Sequence, residues 1–254
     1  MFARPTETIT ARSNLMKRPH TAPRGFSLVE LLVVILIIVV LAALGFTLSV
    51  RMKKSANQAI TTANLRQIGV ALISFTSDKG RFPSLNGDPV WDRAIISNLG
   101  YSEIIAGTGT IKISAYPALD ATAKLFITPE DEEKHDPSFY ARSFAIVPWT
   151  TNWSNGTAFR GWKNRPYNTG VPYSALDSPE KNAMVVQWHR GGNGTANQLG
   201  HGNHAYHDIG GPAKTLGSMQ QVLFADGHVD KIRANMSNSE FVAKYWPGTI
   251  GSTN

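Results

Sequence analysis

The stretch that decides the fold is residues 24–50, RGFSLVELLVVILIIVVLAALGFTLSV. It contains one acidic residue, Glu30, and no charged residue follows it up to Val50. As a helix, the 25 residues from Phe26 to Val50 would be about 37 Å long, which exceeds the roughly 30 Å hydrocarbon core of a bilayer. The sequence therefore predicts a helix that is long enough to cross a membrane.

Three interpretations of this segment compete. A secretory signal peptide would be removed completely, and residues 41–45, LAALG, offer a cleavage point. However, the apolar part of such a signal is usually about 7–15 residues long and carries no acid. A plain N-terminal anchor leaves Glu30 unexplained, although a carboxylate in hydrocarbon costs about 3 kcal/mol or more. We favour the third interpretation, in which a basic leader is removed and the helix stays with the protein.

Gly25, Phe26 and Glu30 together resemble the processing signature of type IV prepilins. The resemblance implies that a prepilin peptidase cuts after Gly25 and that Phe26 becomes the N-methylated first residue. It also implies that Glu30, the fifth residue of the mature chain, pairs with the positive terminus of a neighbouring subunit during assembly. Such pairing would relieve part of the cost of a charge in lipid. Gly25 has no Cβ, which suits close approach by a protease.

Most of the net positive charge lies in the predicted leader, residues 1–25. The chain has a net charge of +7, and the leader carries five basic residues against Glu7, which is +4 and leaves +3 for the rest. We therefore expect no nucleic-acid partner. A basic leader favours retention on the cytoplasmic side, although Arg51, Lys53 and Lys54 follow on the far side. The basic leader residues are Arg4, Arg12, Lys17, Arg18 and Arg24.

The segment 51–78 continues the helix in amphipathic form and contains no proline. One apolar stripe recurs at i, i+3, i+7 and i+10, and we expect it to pack under the sheet of the same domain. Gly80 predicts a left-handed helix cap, and Pro83 prevents further helix. Residues 75–84, FTSDKGRFPS, resemble the segment that follows the long helix in major pseudopilins. The stripe consists of Leu65, Ile68, Leu72 and Phe75.

Residues 79–254 are predicted to form a head domain, which must close without disulfides because the chain has no cysteine. Asp226 and Gly227 favour a type I′ hairpin turn between the last two strands. Thr128, followed by proline and acids, predicts a helix start, so the acidic run Glu130–Glu133 is interpreted as a helix N-terminus or a solvated face. Apolar and β-branched runs predict a short helix at Trp91–Leu99 and strands at Arg142–Trp149, Ala183–Trp188, Gln221–Ala225 and His228–Ile232.

Residues 222–232, VLFADGHVDKI, carry a second resemblance. They are similar to the C-terminal signature of prepilin-processing-associated head domains, in which nine residues separate a histidine from an Asp-Gly pair. At that spacing this chain has Leu216, and the nearest preceding histidine is His207. A longer loop before the last hairpin would account for this departure from the pattern.

Five residues are candidate metal ligands. His201, His204 and His207, on a Gly-rich stretch, could ligate zinc, although their spacing matches no established zinc motif. The alternative for them is a polar surface loop. Asp226 and Asp230 could supply oxygen atoms to calcium, and the alternative is that they cap their own turn.

Catalytic motifs are lacking in the sequence, so we expect no enzyme. It has no Gly-x-Ser-x-Gly, no phosphate-binding Walker loop and no paired-carboxylate spacing. Gly191–Gly194 is a loop signal without the lysine that a phosphate loop needs. Aromatic residues lie among amides and basic residues between 149 and 167, a composition that can bind glycan or line a wet loop. These aromatic residues are Trp149, Trp153, Trp162 and Tyr167.

The predicted fold is α+β and pilin-like, with a long N-terminal helix packed on a small antiparallel sheet with long loops. The expected division is a cleaved leader at 1–25, the transmembrane and assembly half of the helix at 26–50, its amphipathic half at 51–78 and the head at 79–254. The resemblance implies a structural subunit of a type IV pilus-like or type II secretion pseudopilus-like filament.

The expected partners are subunits of the same class, prepilin peptidase, the inner-membrane assembly platform and membrane lipid. The precursor would lie in the inner membrane with an extracytoplasmic head, before it enters a periplasmic pseudopilus or a cell-surface pilus. Two alternatives remain: a membrane-anchored extracytoplasmic metal-binding or hydrolytic domain, and an adhesive, glycan-binding minor subunit.

Overall fold

The computed structural model describes residues 25–83, 90–103, 105, 109–147, 172–176, 178–187, 198–199, 219–233 and 238–245. The chain divides into two compact units between Val50 and Arg51. In the first unit, the described residues form the apolar part of one long helix and the three residues before it. The second contains the rest of that helix, a small sheet and several short helices.

Helix α1 covers Leu28–Lys79, a total of 52 residues. It begins two residues after the predicted start and ends where Gly80 adopts a φ of 70°. This positive φ is the left-handed conformation that ends many helices, and glycine adopts it without a Cβ clash. The predicted helix end is therefore confirmed.

The first unit exposes its apolar side chains. Every residue from Gly25 to Val50 is exposed, including Leu36 and Phe46. An 18-residue window of α1 reaches a mean hydropathy of 3.2, and α1 is the one helix of the described ranges that is long and apolar enough to cross a membrane. Exposing so many large apolar side chains to water would be strongly unfavourable.

Among the described residues, the second unit contains a sheet of four antiparallel strands that pair in the order in which they occur along the chain. Each predicted strand and the short helix at Trp91 overlap an observed element, although the observed bounds differ from the predicted ones at one or both ends, and the architecture is α+β. The strands are β1 at Phe144–Ile146, β2 at Ala183–Gln187, β3 at Met219–Phe224 and β4 at Val229–Arg233. The shorter helices are α2 at Trp91–Ile95, α3 at Asp120–Ala123 and α4 at Asn238–Tyr245. Single 3₁₀ turns lie at Ser97–Leu99, Pro117–Leu119, Lys124–Phe126 and Tyr173–Ala175.

The helix predicted to start at Thr128 is absent, so this prediction is wrong. Pro129 and Glu130 form a turn, in which the Asp131 N–H donates to the Thr128 carbonyl at 3.1 Å. The Thr128 N–H also donates to the buried Ser143 hydroxyl at 3.1 Å. A tertiary contact therefore decides the conformation of a segment whose local sequence favours a helix.

The described residues of the second unit form two apolar clusters, because successive side chains of a strand point to opposite faces of the sheet. The larger cluster contains Leu65, Ile68 and Leu72 of α1 together with Leu223 of β3. The smaller cluster contains residues of the opposite strand faces, such as Val222, together with Phe241 of α4. The predicted stripe of α1 is thus confirmed as the core-facing side, with Phe75 partly buried at its end.

Polar contacts also join α1 to the sheet. Gln221 of β3 donates from Nε2 to the Gln58 carbonyl at 2.9 Å, and its Oε1 accepts from the Thr62 hydroxyl at 2.8 Å. The backbone N–H of Gln221 donates to Gln187 Oε1 of β2 at 3.2 Å. These bonds give the buried side-chain amide of Gln221 its hydrogen-bond partners; leaving the amide without them would lower the free energy of unfolding by about 1–3 kcal/mol. The bonds also help to set the register between helix and sheet.

The β3–β4 hairpin is confirmed, but its turn differs from the expected type I′ turn. Gly227 N–H donates to the Phe224 carbonyl and Phe224 N–H donates to the His228 carbonyl, both at 2.9 Å. The loop therefore has three residues, with Gly227 at a φ of 91° in the last position. Three-residue hairpin loops typically place their left-handed residue there.

Gly69 of α1 packs directly against Leu223 of β3. A Cβ at this position would lie 2.8 Å from Leu223 Cδ1, inside a packed cluster. We expect Gly69→Val to lower the free energy of unfolding by about 1–3 kcal/mol because the core would be overpacked. Ala63→Val on the exposed side of α1 is the control, with an expected loss of roughly 0.5 kcal/mol from helix propensity. Urea unfolding measures both, and equal losses would contradict the close contact.

Candidate functional site

The predicted processing residues lie ahead of the first turn of α1. Gly25 has no atom within 4 Å of the position a Cβ would occupy, and Phe26 is 77% exposed. Both residues precede Leu28, where the helix begins. The peptide bond between Gly25 and Phe26 therefore lies outside the helix, in exposed chain.

Glu30 caps the start of α1 in its own chain. The Ser27 N–H donates to Glu30 Oε2 at 2.9 Å, and the Leu31 N–H donates to the Ser27 carbonyl at 3.2 Å. This is the acid half of a capping box, in which the third helical residue reaches back to the N-cap N–H. A carboxylate at this position also interacts favourably with the positive end of the helix dipole, which stabilises the helix by about 0.3–1 kcal/mol.

The resemblance to prepilins implies a role of Glu30 in assembly and does not imply this helix cap. The signal was present as Ser-x-x-Glu at positions 27–30, the pattern that marks helix starts. Glu30 thus has a hydrogen-bond partner before any second chain is present. Glu30 also follows Phe26 by four positions in the chain, and cleavage after Gly25 would create an α-amino group at Phe26.

The two candidate calcium ligands in the described ranges both bind local backbone. Asp226 Oδ1 accepts the His228 N–H at 3.1 Å and lies 2.6 Å from His228 Nδ1. Asp230 Oδ1 accepts the Lys231 N–H at 2.7 Å. No group of three or more His, Cys, Asp or Glu side chains is assembled among the described residues. This geometry favours turn capping for Asp226.

Several other predicted features fall outside the described residues. They are His201, His204, His207, Gly191–Gly194, Trp149, Trp153, Trp162 and Tyr167. Zinc binding by the histidines and glycan binding by the aromatic residues therefore stay predictions.

A buried ion pair, which the sequence does not predict, lies beside the larger apolar cluster. Arg142 Nη1 donates to Asp92 Oδ2 at 2.5 Å, and both side chains are fully buried. The Arg142 guanidinium also lies over the ring of Trp91, 5.5 Å from its centroid. Nothing in the sequence pairs residues 50 positions apart. Because neither group reaches the surface, this pair joins α2 to the segment before β1 and offers nothing to a ligand.

A second polar cluster surrounds Asp131. Asp131 Oδ2 accepts the Ser143 hydroxyl at 2.5 Å and lies 3.1 Å from His135 Nε2. The carboxylate stands between the serine and the histidine, so the imidazole cannot take the proton of Ser143. This order differs from that of a nucleophilic triad, in which the histidine contacts the serine.

The His135 imidazolium is held by Asp131. The hydrogen bond to Asp131 raises the pKa of His135 above 6.5, against partial burial, and the charges of Asp131 and Glu133 add to the rise. Because the folded pKa is the higher one, the stabilisation is complete below about pH 6.5 and is lost as the pH rises through the folded value.

We therefore expect His135→Gln to lower the free energy of unfolding by about 1 kcal/mol at about pH 5.5 and by clearly less at about pH 8.5. Thermal unfolding at both pH values measures the difference. Lys134→Gln, which removes an exposed charge one position from His135, is the control and should change the free energy of unfolding equally at both pH values. A cost for His135→Gln that does not change with pH would contradict the ion pair.

Neither a scan against protein-family models nor searches of curated proteins and of solved structures find a match for this chain. The candidate site therefore depends on the chain's own residues: the accessible Gly25–Phe26 bond, the capping carboxylate of Glu30 and the exposed apolar helix behind them.

Proposed function

We propose that this chain is the precursor of a structural subunit of a type IV pilus-like or type II secretion pseudopilus-like filament. In this proposal prepilin peptidase cuts after Gly25, Phe26 is N-methylated and Glu30 pairs with the terminal amine of a neighbouring subunit. The observation that carries it is the exposed Gly25–Phe26 bond directly ahead of a fully exposed, membrane-length apolar helix whose first acid is Glu30.

The outer face of α1 in the second unit supports polymerisation. Ala56, Ala59, Ala63 and Val70 are all exposed, and at 100° per residue they lie within an arc of roughly 60°. We call these four residues the outer stripe. Small apolar residues on an exposed face permit close approach of another helix, and a second copy of this chain offers the same face.

The proposal includes partners and a location. The precursor would lie in the inner membrane with the head outside the cytoplasm, and it would bind prepilin peptidase, the assembly platform and other filament subunits. It assigns no catalytic residue and no cofactor to the chain.

The experiment that tests the proposal is mass spectrometry of the N-terminal peptide, after expression of the full chain in a host that has a prepilin peptidase. We expect the mature chain to begin with N-methylated Phe26. Gly25→Val should retain the leader because a branched side chain obstructs the protease. Gly45→Val, at another glycine with open space around its Cβ position, should be processed normally.

Other outcomes would overturn the proposal. An intact leader in the unmodified chain would indicate a plain anchor. A mature start beyond Ala43 would indicate a secreted domain whose apolar helix had been removed.

A further inference from the structure

We propose that Arg51, Lys53 and Lys54 bind the phosphate groups of anionic phospholipids where the apolar segment of α1 leaves the membrane. We call these three residues the cationic collar. The inference rests on the proposed function, because it requires residues 28–50 to lie in a bilayer.

The position of the collar in the chain places it at headgroup level. Leu28–Val50 is 23 residues of α1, which is about 35 Å of helix against a hydrocarbon core of roughly 30 Å. Arg51 follows Val50 directly, so the collar begins where the apolar segment ends. Long basic side chains at such a boundary keep their stems in apolar surroundings and their charged ends among headgroups.

The collar carries uncompensated positive charge. All three side chains are exposed, and none takes part in an ion pair within the ranges that the structure describes. The only acidic residues of α1 are Glu30 and Asp78, which are 21 positions before Arg51 and 24 positions after Lys54. A cluster of cations without local acids attracts an anionic surface.

Helix geometry separates the collar from the outer stripe. Eighteen residues make about five full turns, so the collar shares its helix face with the residues eighteen positions later, Gly69, Ala71 and Leu72. Those three residues are buried against the sheet side of the second unit. Met52, within the collar segment, instead shares its face with Val70, which is 69% exposed. The collar therefore lies away from the face proposed for a second copy.

A fourth cation extends the collar along the same side of α1. Lys231 of β4 donates from Nζ to Gln58 Oε1 at 2.7 Å, and its side chain is exposed. Gln58 lies seven residues, or about two turns, beyond Arg51. The ammonium group of Lys231 is thus held on the collar side by a hydrogen bond.

Phosphate is the anion that suits these groups. Guanidinium and ammonium groups both donate charge-assisted hydrogen bonds to phosphate oxygens. Each cation near an anionic leaflet raises lipid affinity by up to about fivefold. Basic residues are normally enriched on the cytoplasmic side of a membrane helix, so a basic cluster at the opposite end is unusual. Binding of lipid phosphate on that side of the membrane would account for it.

The test is native mass spectrometry of the full chain, released from micelles that contain equal amounts of phosphatidylglycerol and phosphatidylcholine with the same acyl chains. We expect Arg51→Gln/Lys53→Gln/Lys54→Gln to lower the ratio of bound phosphatidylglycerol to phosphatidylcholine by about threefold or more. The matched control, Arg66→Gln/Lys79→Gln/Lys112→Gln, removes the same charge from exposed positions of the second unit. It should leave the ratio unchanged, and the leader contributes equally to every protein compared.

The outcomes separate this inference from the proposed function. Lipid binding by the collar would be overturned if the unmodified chain, the collar variant and the control variant all had the same ratio of bound phosphatidylglycerol to phosphatidylcholine. It would also be overturned if both variants lowered that ratio equally. Either result would leave the filament proposal in place. If the ratios are equal and only the collar variant fails to enter filaments, the collar binds acidic groups of a protein, which also overturns the inference. A chain that retains no lipid of either kind would contradict the membrane segment itself.

Discussion

Glu30→Gln and Glu30→Ala are both expected to reduce filament incorporation by about ten- to a hundredfold, corresponding to a charge-assisted hydrogen bond of about 1.5–3 kcal/mol. The two variants differ in whether they can keep the helix cap at the start of α1. A glutamine can still accept the Ser27 N–H that now donates to Glu30 Oε2 at 2.9 Å, whereas alanine cannot. Neither can form an ion pair with the amine of a cleaved Phe26.

The pair of variants therefore separates two roles of one carboxylate. Incorporation is measured as the share of subunit in sheared filaments relative to membranes, with the N-terminal peptide checked for cleavage in each variant. Equal losses for glutamine and alanine support pairing by charge. If glutamine assembles like the unmodified chain and alanine alone fails, the helix cap is what assembly needs, and the ion-pair role of Glu30 falls.

Arg142→Met is expected to lower the free energy of unfolding of the head by about 3–5 kcal/mol, the largest stability effect that the structure indicates. The substitution leaves the carboxylate of Asp92, which is fully buried, without the guanidinium that contacts it at 2.5 Å. It also removes the contact of that guanidinium with the Trp91 ring. Urea unfolding of the full chain in detergent, followed by tryptophan fluorescence, measures the loss.

Arg233→Met is the matched control. Arg233 donates to Glu240 in an ion pair whose side chains are 57% and 43% exposed, and exposed pairs contribute about 0–1 kcal/mol. Adding Asp92→Asn to Arg142→Met should recover part of the loss, because the second change removes the buried charge. A loss at Arg142 as small as that at Arg233 would contradict a buried pair.

Local signals in the sequence predicted the larger elements well. The four strands follow from runs of β-branched and apolar residues, and Gly80 ends α1 because no other residue adopts a φ of 70° so readily. The stripe that begins at Leu65 identified the buried face of the helix. These features depend on near neighbours along the chain, so a single sequence contains the information.

Thr128 and Arg142 show where such local reasoning fails. Thr128 is followed by proline and acids, yet its N–H binds Ser143, fifteen positions away, and a turn forms instead of a helix. Arg142 would be expected at the surface from its charge alone, and it is buried because Asp92 neutralises it. Contacts between distant segments decided both cases.

In the candidate site, too, some features follow from the local sequence and others from tertiary contacts. The sequence by itself determined Gly25, Phe26, Glu30 and the apolar helix behind them, because membrane length and an isolated acid can be read from residue order and transfer energies. Only the three-dimensional structure decided that Glu30 binds the Ser27 N–H and that the three residues of the cationic collar lie on the sheet side of α1, away from Val70. The physical reason is that partners and faces depend on which groups meet in space, whereas the spacing of residues determines only which of them can meet.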